Sequence, residues 1–146
     1  MSVVKNPIIP IVLVTTILLS YASVVRAQSD QIEGLWFNNK KDAKIQVYKG
    51  ADGKFYGKIV WLKEPKLDEK NPRSNLRSKP IIGLVILKGC EKDGKNYDDG
   101  TIYDPENGKT YDCTITYKGN TLALRGYIGI SLFGRTTEWE RINRLN

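Results

Sequence analysis

Aromatic side chains and two arginines are the residues of this chain best suited to holding a molecule. Trp61, Tyr111, Tyr117, Tyr127 and Trp139, with Phe55, fall on alternating positions of apolar stretches. Tyrosine and tryptophan carry an apolar body and a polar tip, so a set of them can line a pocket for an amphiphile or fill a core. Arg125 and Arg135 flank the glycine-interrupted run Gly126–Gly134. A guanidinium there can fork onto a carboxylate or phosphate, or pair with Glu138 or Glu140 on a neighbouring strand. Asp98, Asp99, Asp104, Glu106 and Asn107 gather oxygen atoms of the kind calcium takes. Their spacing is not that of a calcium-binding loop between helices, and these residue types also bond their own backbone in turns. The turn reading leads, and no metal or cofactor is expected.

Covalent chemistry has little to work with. The chain has no histidine, the commonest general base and metal ligand, and so no histidine-containing triad. No Gly-x-Ser-x-Gly turn is present, and no pair of carboxylates stands out for glycoside cleavage. The expectation is a protein that is not an enzyme.

The elements that would position these residues read as strands. Ala43–Lys49 alternates Ile45 and Val47 with polar neighbours, and Gly50–Gly53 turns the chain. In Lys54–Leu62, Phe55, Gly57, Ile59 and Trp61 share a face. Tyr111, Cys113, Ile115 and Tyr117 do so after the turn Asp104–Gly108. Thr137, Trp139 and Arg141 do so near the end. Ile81–Leu87 is apolar on both faces, which predicts a strand covered on both sides, with Gly89–Asn96 as a polar turn. No helical period appears. Eight candidate strands joined mostly by short turns predict an all-β fold, an antiparallel up-and-down barrel of about eight strands, with a two-sheet sandwich as the alternative. The long connection Lys63–Pro80 holds six basic and three acidic residues, a net +3. It reads as a solvated crossing or a functional loop.

Two segments divide the chain. Lys5, the apolar Ile8–Leu19 and the small Ala27 before Gln28-Ser29-Asp30 read as a cleaved signal peptide over residues 1–27. Residues 28–146 remain as one barrel domain with no membrane span, in the periplasm or secreted. Removing Lys5 and Arg26 from a chain of net charge +7 leaves +5. That favours an anionic partner but lacks the dense basic stripe of a nucleic-acid binder. Export would permit a Cys90–Cys113 disulfide; two buried thiols are the alternative.

Gly34-x-Trp36 near the start and Arg141 near the end resemble the lipocalin-type (calycin) arrangement. The resemblance implies a tryptophan plugging one barrel end with an arginine on its face. A wider likeness rests on Ile32–Trp36, Gly100–Tyr111, Leu124–Gly129, Gly134-Arg135, Trp139–Arg141 and the Asp68–Arg77 loop. Together these resemble the domain of unknown function 2147 family of small exported bacterial proteins. That implies a small exported β-barrel and supplies no activity. The combined expectation is a non-enzymatic barrel for a small apolar or amphiphilic ligand, with Trp61, Tyr111, Tyr117, Arg125, Tyr127, Arg135 and Trp139 as its binding residues and Ile128–Phe133 as a lid. The alternative is a protein that contacts an anionic envelope polymer, a lipid or another protein through loop 63–80 and segment 128–133.

Overall fold

The computed structural model describes residues 2–4 and 30–143. Apart from residues 2–4, the expected signal peptide lies outside the described residues. Eight strands form a closed antiparallel barrel in chain order. They are β1 (Gly34–Phe37), β2 (Ala43–Lys49), β3 (Phe55–Leu62), β4 (Val85–Asp93), β5 (Asn96–Asp104), β6 (Lys109–Tyr117), β7 (Thr121–Tyr127) and β8 (Arg135–Arg141). The short β1 pairs with β8 through Trp36↔Arg141 and Phe37↔Glu140, so no strand edge is left open.

The two-residue alternation sets which side chains enter the barrel. Ile45 and Val47, Phe55 and Ile59, Cys113 and Ile115, and Leu122 and Leu124 are all buried, as their spacing predicts. Trp61 breaks the expectation. Lys44 pairs with Trp61 and Ile45 with Ile59, so β3 carries one extra residue at Val60. Such a bulge reverses the faces of the residues beyond it. Leu62 turns inward in place of Trp61. Trp61 lies outside, edge-on to Phe37 and under the Lys44 ammonium 4.9 Å from its ring centroid.

The apolar run at Ile81 also folds differently from its reading. The chain turns at Ile81–Leu84, where the Leu84 N–H bonds the Ile81 carbonyl at 3.1 Å, so β4 begins only at Val85. It then continues through the expected polar turn to Asp93. Pairing with β5 at Glu91↔Asp98, Lys92↔Tyr97 and Asp93↔Asn96 supplies backbone partners that no apolar pattern announces.

One barrel end is sealed. Trp36 is fully buried, and its indole N–H donates to the Ile32 carbonyl at 2.9 Å. The Arg141 guanidinium lies 4.1 Å from the Trp36 ring centroid and donates to the carbonyls of Glu33, at 3.1 Å, and Gln31. Gly34 has φ +136°, and a Cβ there would stand 2.8 Å from Arg141 Nη1, which is why Gly-x-Trp carries glycine. Asp30 ties the incoming chain down by accepting from Lys92 at 2.6 Å and Lys49 at 3.2 Å. The Lys92 hydrogen bond, with Lys49 beside it, outweighs desolvation and holds the Asp30 carboxyl below its ordinary range. Above this plug Phe55 and Tyr97 pack edge to face at 5.0 Å.

Candidate functional site

The other barrel end is hollow. It is framed by the turns after β1 and β5, the long connection between β3 and β4, and the segment between β7 and β8. A cavity of about 440 Å³ opens there, inside the size range of small-molecule sites. Ile45, Ile59, Ile86, Ile102, Leu124 and Trp139 make its apolar floor and walls. Polar groups collect at the mouth: Asp42, Lys66, Tyr103, Asn107, Tyr111 and Arg135. The question of a filled or a hollow interior thus has two answers, one for each end.

Three of the seven expected binding residues line this cavity: Tyr111, Arg135 and Trp139. Strand phase decides it. Arg135, Thr137 and Trp139 share the inward face of β8, and Arg135 stands opposite Gly126 of the cavity wall. The Tyr111 hydroxyl accepts from Asn107 at 2.9 Å. Four residues lie elsewhere. The β3 bulge puts Trp61 outside. Tyr117 packs against the core at the sealed end, where β6 finishes. Arg125 and Tyr127 flank inward Gly126 and so take the outer face of β7. Arg125 grips neither Glu138 nor Glu140: it donates to the carbonyls of Ser131, at 2.7 Å, and Leu132, at 3.2 Å, and to Thr136 Oγ1 at 2.9 Å. None of Ile128–Phe133 lines the cavity, so the segment does not cover it as the expected lid would.

The long loop is the cap instead. Lys66, Leu67 and Ile81 reach the cavity. The loop is tied to itself by Asp68 N–H to the Lys79 carbonyl at 2.8 Å and Ile81 N–H to the Lys66 carbonyl at 3.0 Å. Asp68 is buried and is the anchor. Its carboxylate accepts from Asn71 Nδ2 and from the Tyr103 hydroxyl, each at 2.6 Å. Burial, then the bond to Asp68, pushes the Tyr103 phenol up to about 12. An exposed ion pair, Lys40 to Glu106 at 2.6 Å, joins the β1–β2 turn to the β5–β6 turn across the mouth. Composition gives no hint of the Asp68–Tyr103 pair, whose members are 35 positions apart. The only signals are the length of the loop and the part that Asp68–Arg77 plays in the family resemblance.

The disulfide expectation is corrected: Cys90 and Cys113 are both free and buried. β5 runs between their strands, so their Cα atoms stand about two strand spacings apart, roughly 9–10 Å. A disulfide needs less than about 7 Å. Gly100 of β5, opposite Cys113, fills the gap between them; a Cβ there would meet Cys90 Sγ at 2.1 Å. Burial, with a smaller contribution from Asp98, pushes the Cys90 thiol up to about 12, and burial and Cys90 raise Cys113. Both are neutral packing groups rather than nucleophiles. The acidic turn behaves as a turn: Asp104 accepts from the Glu106 N–H at 2.9 Å, and Asn107 from the Lys109 N–H at 2.8 Å.

A closed eight-stranded antiparallel barrel, plugged by Gly-x-Trp and a terminal-strand arginine and hollow at its other end, has the lipocalin-like architecture. The Helicobacter pylori protein HP1028, described as belonging to the lipocalin family, shares it with a TM-score of 0.71. The two are 23% identical over 80% of this chain and 86% of that one. The family model described as "Uncharacterized protein conserved in bacteria (DUF2147)" matches residues 34–141, and the chain belongs to that family. No curated protein matches it.

Proposed function

We propose that this protein is an exported, non-enzymatic binding module that holds one small apolar or amphiphilic molecule in the open-end cavity. The observation that carries the reading is the division of that cavity into an apolar floor around Leu124 and Trp139 and a polar mouth at Tyr111 and Arg135. Such a division orients an amphiphile: its tail leaves water at about 0.8 kcal/mol per buried CH₂, while its head stays at the rim. Arg135 forms no side-chain hydrogen bond or ion pair among the described residues, so its guanidinium is open to an anionic head. The leader-like residues 1–27 support export, and a mature N-terminus at Gln28 is the expected mass.

The test is titration with a fluorescent alkyl carboxylate and its matching alcohol. Both are expected to bind, the carboxylate more tightly. Arg135→Gln should weaken the carboxylate several-fold and leave the alcohol unchanged. Absence of saturable binding of either probe overturns the reading.

A further inference from the structure

The tip between β7 and β8 exposes apolar side chains in a way the cavity does not explain. Ile128, Ile130, Leu132 and Phe133 are 69%, 56%, 76% and 80% exposed. The tip is nevertheless built. Ser131–Phe133 form a single 3-10 turn, with Phe133 N–H bonded to the Ile130 carbonyl and Gly134 N–H to the Ser131 carbonyl. Arg125 adds its two bonds to the Ser131 and Leu132 carbonyls and anchors itself on Thr136. The Ser131 and Leu132 carbonyls are thereby bonded from the barrel side, and the apolar side chains of the turn are presented to solvent. Its base joins the mouth, because Gly126 and Arg135 line the cavity.

The same barrel end carries positive charge. Lys63, Lys66, Lys70, Arg73, Arg77 and Lys79 of the capping loop are all exposed. Asp68 is buried beneath them, leaving Glu64 and Glu69 as the exposed acids of that stretch. Leu67 and Ile82 add apolar exposure of 48% and 52% at this end.

We propose that the open end docks on an anionic lipid bilayer. The four tip side chains enter the interfacial layer, and the basic loop lies against the headgroups. Shape and charge select this occupant: the most exposed apolar side chains of the barrel are gathered on one short tip, and the loop at the same barrel end is basic. A second copy seated on the same end would bring two basic loops onto one interface. A short apolar projection beside exposed lysines and arginines fits interfacial insertion, where apolar burial and attraction to anionic lipid act together. Docking in this pose sets the cavity mouth on the bilayer, but the proposal rests on the tip and loop and stands whether or not the cavity holds a ligand.

The experiment is flotation with phosphatidylglycerol and phosphatidylcholine vesicles, using protein purified after expression of the full chain. Residues 1–27, if retained, are common to every variant, so differences between variants report the tip and loop. The expected result is binding to phosphatidylglycerol vesicles that falls at least tenfold in Leu132→Asp/Phe133→Asp. It should fall several-fold in Lys63→Gln/Lys70→Gln/Arg73→Gln/Lys79→Gln and in high salt. Phe133→Trp should shift its emission to the blue on vesicle addition and be quenched by brominated lipid. That reading depends on depth, not on any loss of folding. Three results would overturn the proposal: no binding to phosphatidylglycerol vesicles, equal binding by the tip variant, or a concentration-dependent dimer that the tip variant abolishes, which would assign the tip to a second copy.

Discussion

The two ends of this barrel share the same eight strands and differ in what was put across them. At the sealed end one large ring, Trp36, fills the bore, and every polar group around it is answered: the indole N–H by Ile32, the guanidinium by Gln31 and Glu33, Asp30 by Lys49 and Lys92. At the open end no side chain fills the bore. The covering is a loop held by one buried carboxylate, Asp68, and by its bond to Tyr103. A plug makes stability and leaves no room for a ligand; a tethered loop leaves room and gives up part of the packing. The difference explains why the aromatic residues divide as they do, with Trp36, Phe55 and Tyr97 in the sealed core and Tyr103, Tyr111 and Trp139 around the cavity.

The comparison is broken most forcefully at the plug. Trp36→Ala removes the largest buried side chain of the sealed end and is expected to cost about 3–5 kcal/mol, measured by denaturant unfolding. A cost below about 1 kcal/mol would mean that this end is not the sealed one. At the open end the matching change adds volume. Leu124→Trp should fill the cavity at little cost in stability and lower alkyl-probe affinity at least tenfold, about 1.4 kcal/mol or more. If probe affinity survives, the ligand lies elsewhere.

Tyr103→Phe comes next, with an expected loss of about 1–3 kcal/mol from the anchor on Asp68. Hydrogen exchange should show lost protection concentrated in residues 66–81. The phenol is held at about 12 in the folded protein against an ordinary value of 10.0. A raised value means that this stabilisation is complete below pH 10 and is lost as pH rises through about 12. Loosening of the cap at alkaline pH should therefore follow phenolate absorbance and be absent from Tyr103→Phe.

Asp30 tests the sealed end from the acid side and carries the smallest effect. Its carboxyl is held below its ordinary value of 3.8. Its stabilisation is present above that pH and is lost as pH falls through the lowered folded value. The lysine partners are about half exposed, so Asp30→Asn should change the folding equilibrium less than tenfold and flatten its acid limb. Acid should weaken the sealed end and alkali the open one; a swap of those limbs would overturn the assignment of anchors.

The barrel was legible in the sequence because alternation is a local property. Ile45/Val47, Cys113/Ile115 and Thr137/Trp139 report their shared faces from spacing alone, and Gly34-x-Trp36 with Arg141 marked the plug. Faces that depend on a neighbouring strand were not legible. The extra residue at Val60 has no signature in β3 itself; it is a mismatch with β2, and it sent Trp61 outside. Arg125 is a different case: its outer face follows from the spacing of Leu122 and Leu124, and what that spacing does not show is that its guanidinium holds the tip instead of a ligand.

By itself, then, the sequence determined that strands form, where most of them lie, and that a Gly-x-Trp and a late arginine stand at the two termini of the barrel. Only the tertiary structure decided that Cys90 and Cys113 are kept apart by the strand carrying Gly100, that the long charged loop is tied down by Asp68 and Tyr103, and that the cavity occupies one end. The physical reason is range. Side-chain alternation is set by the backbone of one strand, whereas bulges, thiol separation and a buried hydrogen bond across 35 residues exist only once the strands are paired.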